Sequence, residues 1–285
     1  MSTNIDLIDK ILAGHRYSGT VIQHPTFGQS FNDKETKLIN RLPFHYVEKG
    51  SCRVMVDDKE YLLTEGDFIA IMKGSVHFLR NVIDDIPSET TLICGYFELL
   101  AGTNQSLIDS FPDVQIISHK DIDQSSRMKT VLHMLCEEVG NDLLGAKSAV
   151  NSLADLFFTY VLRNILNCDS VETGVLAGLS DPHLVKALLA FHNDFHKSWS
   201  LETLALEAGL SRTKFVSKFR DVIGVTPGAY MTQWRMNWAA TELLSSESII
   251  YDIALSTGYQ SDAAFCRVFK QQFGVPPSEF RKNSA

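Results

Sequence analysis

From about Val21 to Glu98 apolar and polar positions alternate in short runs rich in β-branched and aromatic residues: FHYVEKG, SCRVMV, DDKEYLL, GDFIAIM and TLICGYFEL. This period of two predicts strands. Asp57-Asp58-Lys59 separates two runs as a hairpin turn, and Glu65-Gly66-Asp67 and Lys73-Gly74 mark further turns. Strands so closely spaced predict a small barrel or jelly roll. From about Ile122 the period lengthens. Met128, Val131, Leu132, Leu135 and Val139 make one helical stripe, and Val150, Leu153, Phe157, Tyr160, Val161 and Ile165 a second. The second stripe is assigned to covering the barrel, with part of it offered to a second subunit. Near the N-terminus, Ile5, Ile8, Ile11 and Leu12, stopped by Gly14, suit one short amphipathic helix. A Gly-, Ser- and Asp-bearing stretch without periodicity sets the boundaries at 1–167, a linker at 168–181, and 182–285, where short helices follow one another.

The last segment contains a repeat. KFRDVIGVTPGAY (Lys218–Tyr230) returns fifty positions later as VFKQQFGVPPSEF (Val268–Phe280). Upstream of the first copy, LETLALEAGLSRTKF has the layout of a helix-turn-helix. Ala205 lets two helices cross closely and Gly209 suits the turn. Ser211 caps the next helix, which Phe215 and Phe219 anchor at an i, i+4 spacing. Ala254, Gly258, Ser261, Phe265 and Phe269 take the same roles in IIYDIALSTGYQSDAAFCRVF. Between the copies, Pro227 starts a helix that runs to about Leu244, a rod of about 27 Å. That length suits two recognition helices in successive major grooves, ~34 Å apart.

The segments SLETLALEAGLSRTKF, GVTPGAYMTQWRM and IYDIALSTGYQSDAAFCRVFKQQFGVPPSEFR resemble the DNA-binding domain of AraC-family transcription regulators over the last hundred or so residues. The resemblance implies double-stranded DNA as partner, a homodimer, activation and contact with RNA polymerase. With the phenylalanines inward, a 100° step turns Thr213, Val216, Ser217 and Arg220 outward on the first recognition helix, and Ala263, Cys266, Arg267 and Lys270 on the second. Arg212, Lys214 and Lys218 add positive charge to the first. Arg267 suits bidentate reading of guanine and Val216 a thymine methyl, with the lysines on phosphates.

GDFIAIMKGSVHFLRN (Gly66–Asn81) follows the second cupin motif, G-x5-P-x-G-x2-H-x3-N, with Met72 in place of the proline. The first cupin motif, with paired His and a Glu, is absent. The N-terminal half thus resembles the cupin-type sensor of one branch of AraC-family regulators, which places a His at His45 and a Cys at Cys94. The fold expected is multi-domain: a cupin-like β-barrel with accessory helices, then an all-α domain of two helix-turn-helix motifs joined by a linker helix. His24, His45, His77 and Cys94 form a candidate quartet of N and S ligands for a transition metal such as zinc. Against it stand hydrogen-bonded core histidines, a thiol switch at Cys94, and a small organic effector in the barrel mouth.

Charge and cysteine usage alter this picture only locally. The net charge of −8 disfavours a nucleic-acid partner, yet from Ser180 onward 11 Lys+Arg face 10 Asp+Glu, against 15 and 24 before it. Five cysteines without a CxxC argue against a disulfide framework or zinc finger and for a reducing cytoplasm. No apolar run approaches the roughly 18 residues of a membrane span. The competing readings are a metal-dependent cupin enzyme with a helical accessory domain and a binding module without regulatory output. The doubled helix-turn-helix and the missing first cupin motif weigh against an enzyme.

Overall fold

The computed structural model describes residues 16–27, 32–35, 41–81, 89–100, 108, 110–141, 143–167 and 173–283. The helix expected around Ile5–Leu12 and the thiol of Cys168 lie outside them. The chain divides into two compact units, one of Tyr17–Leu99 with Phe111–Ser170, the other of Val171–Ala285 with Met1–Arg16 and Leu100–Ser110.

In the first unit the strands are β1 (Arg16–Gln23), β2 (Thr26–Phe27), β3 (Asn32–Glu35), β4 (Arg41–Lys49), β5 (Ser51–Val56), β6 (Lys59–Thr64), β7 (Phe68–Ile71), β8 (His77–Asn81), β9 (Thr90–Leu100) and β10 (Val114–Ile117). They form two sheets, one ordered β1-β9-β4-β7-β10 with β2 also on β9, the other β3-β8-β5-β6. The expected turn between β5 and β6 is made by Asp57 and Asp58 alone, since Lys59 already pairs with Val56; Asp57 takes φ 51°.

Strand alternation decides what each face does. Cys52, Val54 and Val56 of β5 point at Val47, Ile69, Ile71, Leu92 and Cys94, and together they make the buried core of the cupin-like half. On the opposite face of the six-stranded sheet, Phe44, Phe68 and Phe97 pack under Phe157 and Phe158, with ring centroids 4.6–5.7 Å apart for the Phe44 pairs and 4.8 and 4.6 Å for Phe68–Phe157 and Phe97–Phe158. Those two rings belong to the third of three helices, α1 (His119–Gln124), α2 (Ser126–Gly140) and α3 (Ala146–Asn167). The α2 stripe is buried as expected at Met128, Val131, Leu132 and Leu135. That of α3 is turned: Ala154, Phe158 and Leu162 are buried, while Leu153 and Tyr160 are half-exposed. The aromatic sockets of the sheet set this rotation, because they take Phe157 and Phe158 side by side.

The second unit contains α4 (Val175–Ser180), α5 (Leu184–Asn193), α6 (Leu201–Glu207), α7 (Arg212–Ile223), α8 (Pro227–Ser245), α9 (Ile250–Ser256), α10 (Asp262–Phe273) and α11 (Pro277–Asn283). The stretch expected to be a linker over 168–181 is thus helical from Val175, because Val175, Leu176 and Leu179 are buried. The rod expected to end near Leu244 ends at Ser245. Among the described residues no helix is long and apolar enough to cross a membrane.

Candidate nucleic-acid interface

Two helix pairs, α6–α7 and α9–α10, are built alike. Ser211 Oγ accepts from the Lys214 amide at the start of α7, and Ser261 Oγ from the Ala264 amide at the start of α10. Each second helix buries two rings, Phe215 with Phe219 and Phe265 with Phe269. Each ends on a left-handed glycine, Gly224 or Gly274, whose amide donates to the carbonyl of Arg220 or Lys270. Then Thr226 caps α8, with Pro227 in its first turn.

The buried rings leave the expected outward faces free. Arg212, Thr213, Val216, Ser217 and Arg220 line one open groove of about 560 Å³. Lys214 is exposed beside them. On α10, Ala263, Arg267 and Lys270 are exposed and Cys266 is half-buried. Burial, reinforced by Asp262, pushes the Cys266 thiol up, which keeps it neutral. Two of the expected contacts are engaged within the protein. Arg212 Nε lies 3.1 Å from Glu202 Oε1. Lys218 Nζ lies 2.6 Å from Asp181 Oδ2, with only 36% and 14% of the two side chains exposed. Asp181 also accepts from the amides of His183 and Leu184 at the start of α5, so Lys218 is tied into the packing of that helix start.

The expected metal quartet is not assembled. His45, His77 and Cys94 are brought together between the two sheets, all but fully buried. His24 instead pairs with Glu48 at 2.5 Å. Glu48 follows the alternation of Phe44 and Tyr46, away from the inward positions of His45 and Val47, and lines a cleft under α1 and α2. The other three stand in a row: His45 Nδ1 is 3.1 Å from Cys94 Sγ, and its Nε2 is 2.7 Å from His77 Nε2. One imidazole facing a partner with each nitrogen cannot share a single ion with both. Among the described residues no three His, Cys, Asp or Glu side chains are placed to hold a metal. The donors therefore do not fit one as folded.

What they do form is a buried hydrogen-bonded row, Cys94–His45–His77. Burial, and secondarily His77, holds His45 well below the ordinary imidazole range, so it is neutral. The Ser75 carbonyl only accepts, so His77 donates to it from Nδ1 (3.3 Å). A neutral His45 carries a single N–H, so it donates to one of its two neighbours and accepts from the other. The cleft of about 640 Å³ lies on the other face, lined by Tyr46, Glu48, His119, Leu132 and Cys136 among others.

Residues 6–167 match a cupin family model, and residues 204–283 match a helix-turn-helix domain model. An uncharacterized HTH-type transcriptional regulator of Haemophilus influenzae is 31% identical over 261 residues, which cover 84% of this chain and 86% of that protein. A putative AraC-like transcription regulator of Streptomyces lividans is 27% identical over 263 residues, with 84% and 86% covered. The RCS-specific HTH-type transcriptional activator RclR of Escherichia coli is 24% identical over 282 residues, with 98% of each chain covered. A cupin half, a C-terminal helix-turn-helix domain and full-length relatives of this kind mean that the chain belongs to the AraC-like transcription regulators, which bind DNA and are not enzymes.

Proposed function

We propose that this regulator grips double-stranded DNA with two helix-turn-helix heads, α6–α7 and α9–α10, carried on α8 as linker helix. The observation that supports it most is the pair of equally capped, ring-anchored helices whose outward faces carry Thr213, Val216, Ser217 and Arg220 on one and Ala263, Cys266, Arg267 and Lys270 on the other. Nineteen residues of α8 span about 28 Å, close to the ~34 Å between successive major grooves. Arg267 reads guanine and Val216 a thymine methyl; Lys214, Arg220 and Lys270 hold phosphates. Titrating the full chain into its own upstream DNA and into a random duplex, across a salt series, tests this. The expected result is preference for the upstream sequence, with affinity falling steeply as salt rises. Equal, salt-insensitive binding to both overturns it.

The protein acts in the cytoplasm as a homodimer, and exposed Leu143, Leu144 and Leu156 on and before α3 support a subunit contact there. Activation follows the role of the Escherichia coli relative, a transcriptional activator, and contact with RNA polymerase is the route proposed for it. The signal enters through the cupin half. A small molecule has a cleft of ordinary ligand size beneath α1 and α2. A second reading, an oxidant as signal, is supported by the buried Cys94 thiol 3.1 Å from His45 Nδ1, a contact that oxidation of the sulfur would alter.

A further inference from the structure

Helix α8 touches both helix pairs, and two of its polar side chains do so at one level on opposite faces. Arg235 and Asn237 are two positions apart, a rotation of about 200° at 100° per residue. Arg235 donates from Nε to the Phe195 carbonyl (2.8 Å) and from Nη2 to the Lys197 carbonyl (2.6 Å), in the loop between α5 and α6. Asn237 is fully buried, and its Oδ1 accepts from Gln272 Nε2 of α10 at 2.9 Å. The same loop meets the second pair directly. A Cβ on Gly258, in the α9–α10 turn, would run into the His196 carbonyl, and Gly258 holds φ +84°. Apolar packing continues the grip on each side: Tyr230 lies against Phe219 and Phe191, and Met236, Ala239, Ala240 and Leu243 lie against Ile253, Phe265 and Phe269.

The Asn237–Gln272 contact is a poor device for stability. Asn237 Nδ2 is buried with no hydrogen-bond partner among the described residues, and an orphaned buried donor costs about as much as one hydrogen bond returns. What a partly buried polar pair supplies is uniqueness: any slide or rotation of α10 along α8 breaks the bond from Gln272 Nε2 to Asn237 Oδ1, together with its longer contact to the Gln233 carbonyl (3.5 Å), and leaves the buried Asn237 amide unpaired. Arg235 ties α8 to the loop that leads into α6 and so into the first pair, since its guanidinium fits two carbonyls of that loop.

Resting on the two-headed reading above, we propose that Arg235, Asn237 and Gln272 are positioning residues that hold α7 and α10 at one separation and phase. The regulator then selects operators by the spacing of two half-sites as well as by their bases. One base pair moves a half-site by 3.4 Å and turns it by roughly a tenth of a revolution, more than a locked frame tolerates.

The test uses the full chain and an operator selected by the wild-type protein from a random-sequence duplex pool. Fluorescence anisotropy then measures affinity for that operator, for versions with one or two base pairs added to or removed from the spacer, and for each half-site alone. The variants are Asn237→Leu with Gln272→Leu, which replaces the polar pair by apolar groups of similar size, and separately Arg235→Gln. The expected result is unchanged half-site affinity, about tenfold weaker binding to the parent operator as the effective concentration of the second head falls, and a flattened dependence on spacer length. A spacing optimum as sharp in both variants as in the wild type overturns the proposal, as does a wild-type protein indifferent to spacing. Should the double leucine variant fail to fold, Arg235→Gln alone decides between the same two outcomes. Failure of the wild type to select any operator would instead overturn the two-headed reading itself.

Discussion

Lys218 separates scaffold from reading surface, and its replacement has a calculable consequence. In Lys218→Met the chain loses an ammonium 2.6 Å from the Asp181 carboxylate. Two unit charges at that distance attract by about 1.6 kcal/mol even at the dielectric constant of water. Ordering the lysine side chain offsets up to about 2 kcal/mol, while the shielding of Asp181 strengthens the attraction, which leaves a net coupling of about 1 kcal/mol. Asp181 also holds the His183 and Leu184 amides, so Asp181→Asn alone costs more than the ion pair. A double-mutant cycle with both changes isolates the coupling. Tryptophan fluorescence during urea unfolding is the right readout, because all three tryptophans, Trp199, Trp234 and Trp238, lie in the C-terminal unit. Burial raises the Asp181 pKa, but Lys218 and the two amides outweigh it and hold the carboxyl below its usual range. A depressed folded pKa contributes stability above the unfolded value, about 3.9, and that stability is lost as pH falls through the lower folded one. The coupling is therefore present at pH 7, weakens with salt, and fades in acid. Zero coupling at pH 7 and low salt, together with a uniform loss of DNA affinity in Lys218→Met, would refute the reasoning and return Lys218 to the phosphates.

Three further outcomes follow from the same geometry. Arg267→Ala weakens binding to the selected operator by about 1–3 kcal/mol and binding to random DNA far less; equal losses in a mobility-shift titration count against base reading. Asp67→Asn destabilises the cupin half by about 2 kcal/mol, because one carboxylate accepts from the amide and hydroxyl of Thr64 and from the amide and Nδ1 of His119, and an amide oxygen serves only part of that set. These bonds outweigh burial and hold the Asp67 carboxyl below its usual range, so the difference between the proteins, followed by far-UV circular dichroism in urea, shrinks as pH falls below about 4. Gly258→Ala costs the C-terminal unit at least about 1 kcal/mol from its left-handed φ alone, and a tryptophan-fluorescence midpoint equal to wild type argues against the His196 contact.

What was legible in the sequence is what local periodicity and chemistry determine. The Asp57-Asp58 turn, the stripe on α2, the serine caps, the ring pairs and the glycine stops all rest on residues within about one turn of one another. Distant partners were not legible. His24 belonged with the other ligands by residue type, and only the alternation of β4, which sends Glu48 away from His45, separates it from them. The stripe on α3 turned to fit sockets made by Phe44, Phe68 and Phe97, which lie some sixty to over one hundred positions upstream. Lys218 looked like any outward lysine until Asp181 appeared beside it. Arg235, Asn237 and Gln272 carried no signal, since an occasional polar residue on a helix reads as a solvated one.

The repeat gains meaning once the engaged charges are set aside. Arg212 is paired with Glu202 and Lys218 with Asp181. Among the described residues each recognition helix then keeps two basic side chains outside any ion pair, Lys214 and Arg220 on α7, Arg267 and Lys270 on α10. At the offset of fifty that superposes the copies, Arg220 coincides with Lys270. Both lie in the last turn, and both lend their carbonyl to the capping glycine, so the backbone beneath them is held identically. A charge kept at the same place on both helices, with arginine and lysine exchanged, suits a phosphate, which asks for charge more than for shape. The other two do not coincide: Lys214 faces Ala264 in the second copy, and Arg267 faces Ser217 in the first. On the two-headed reading proposed above, sequence discrimination rests where the copies differ, on Arg267 in the second head and on Val216 and Ser217 in the first. On the proposed locking of both heads through α8, the two readings count together.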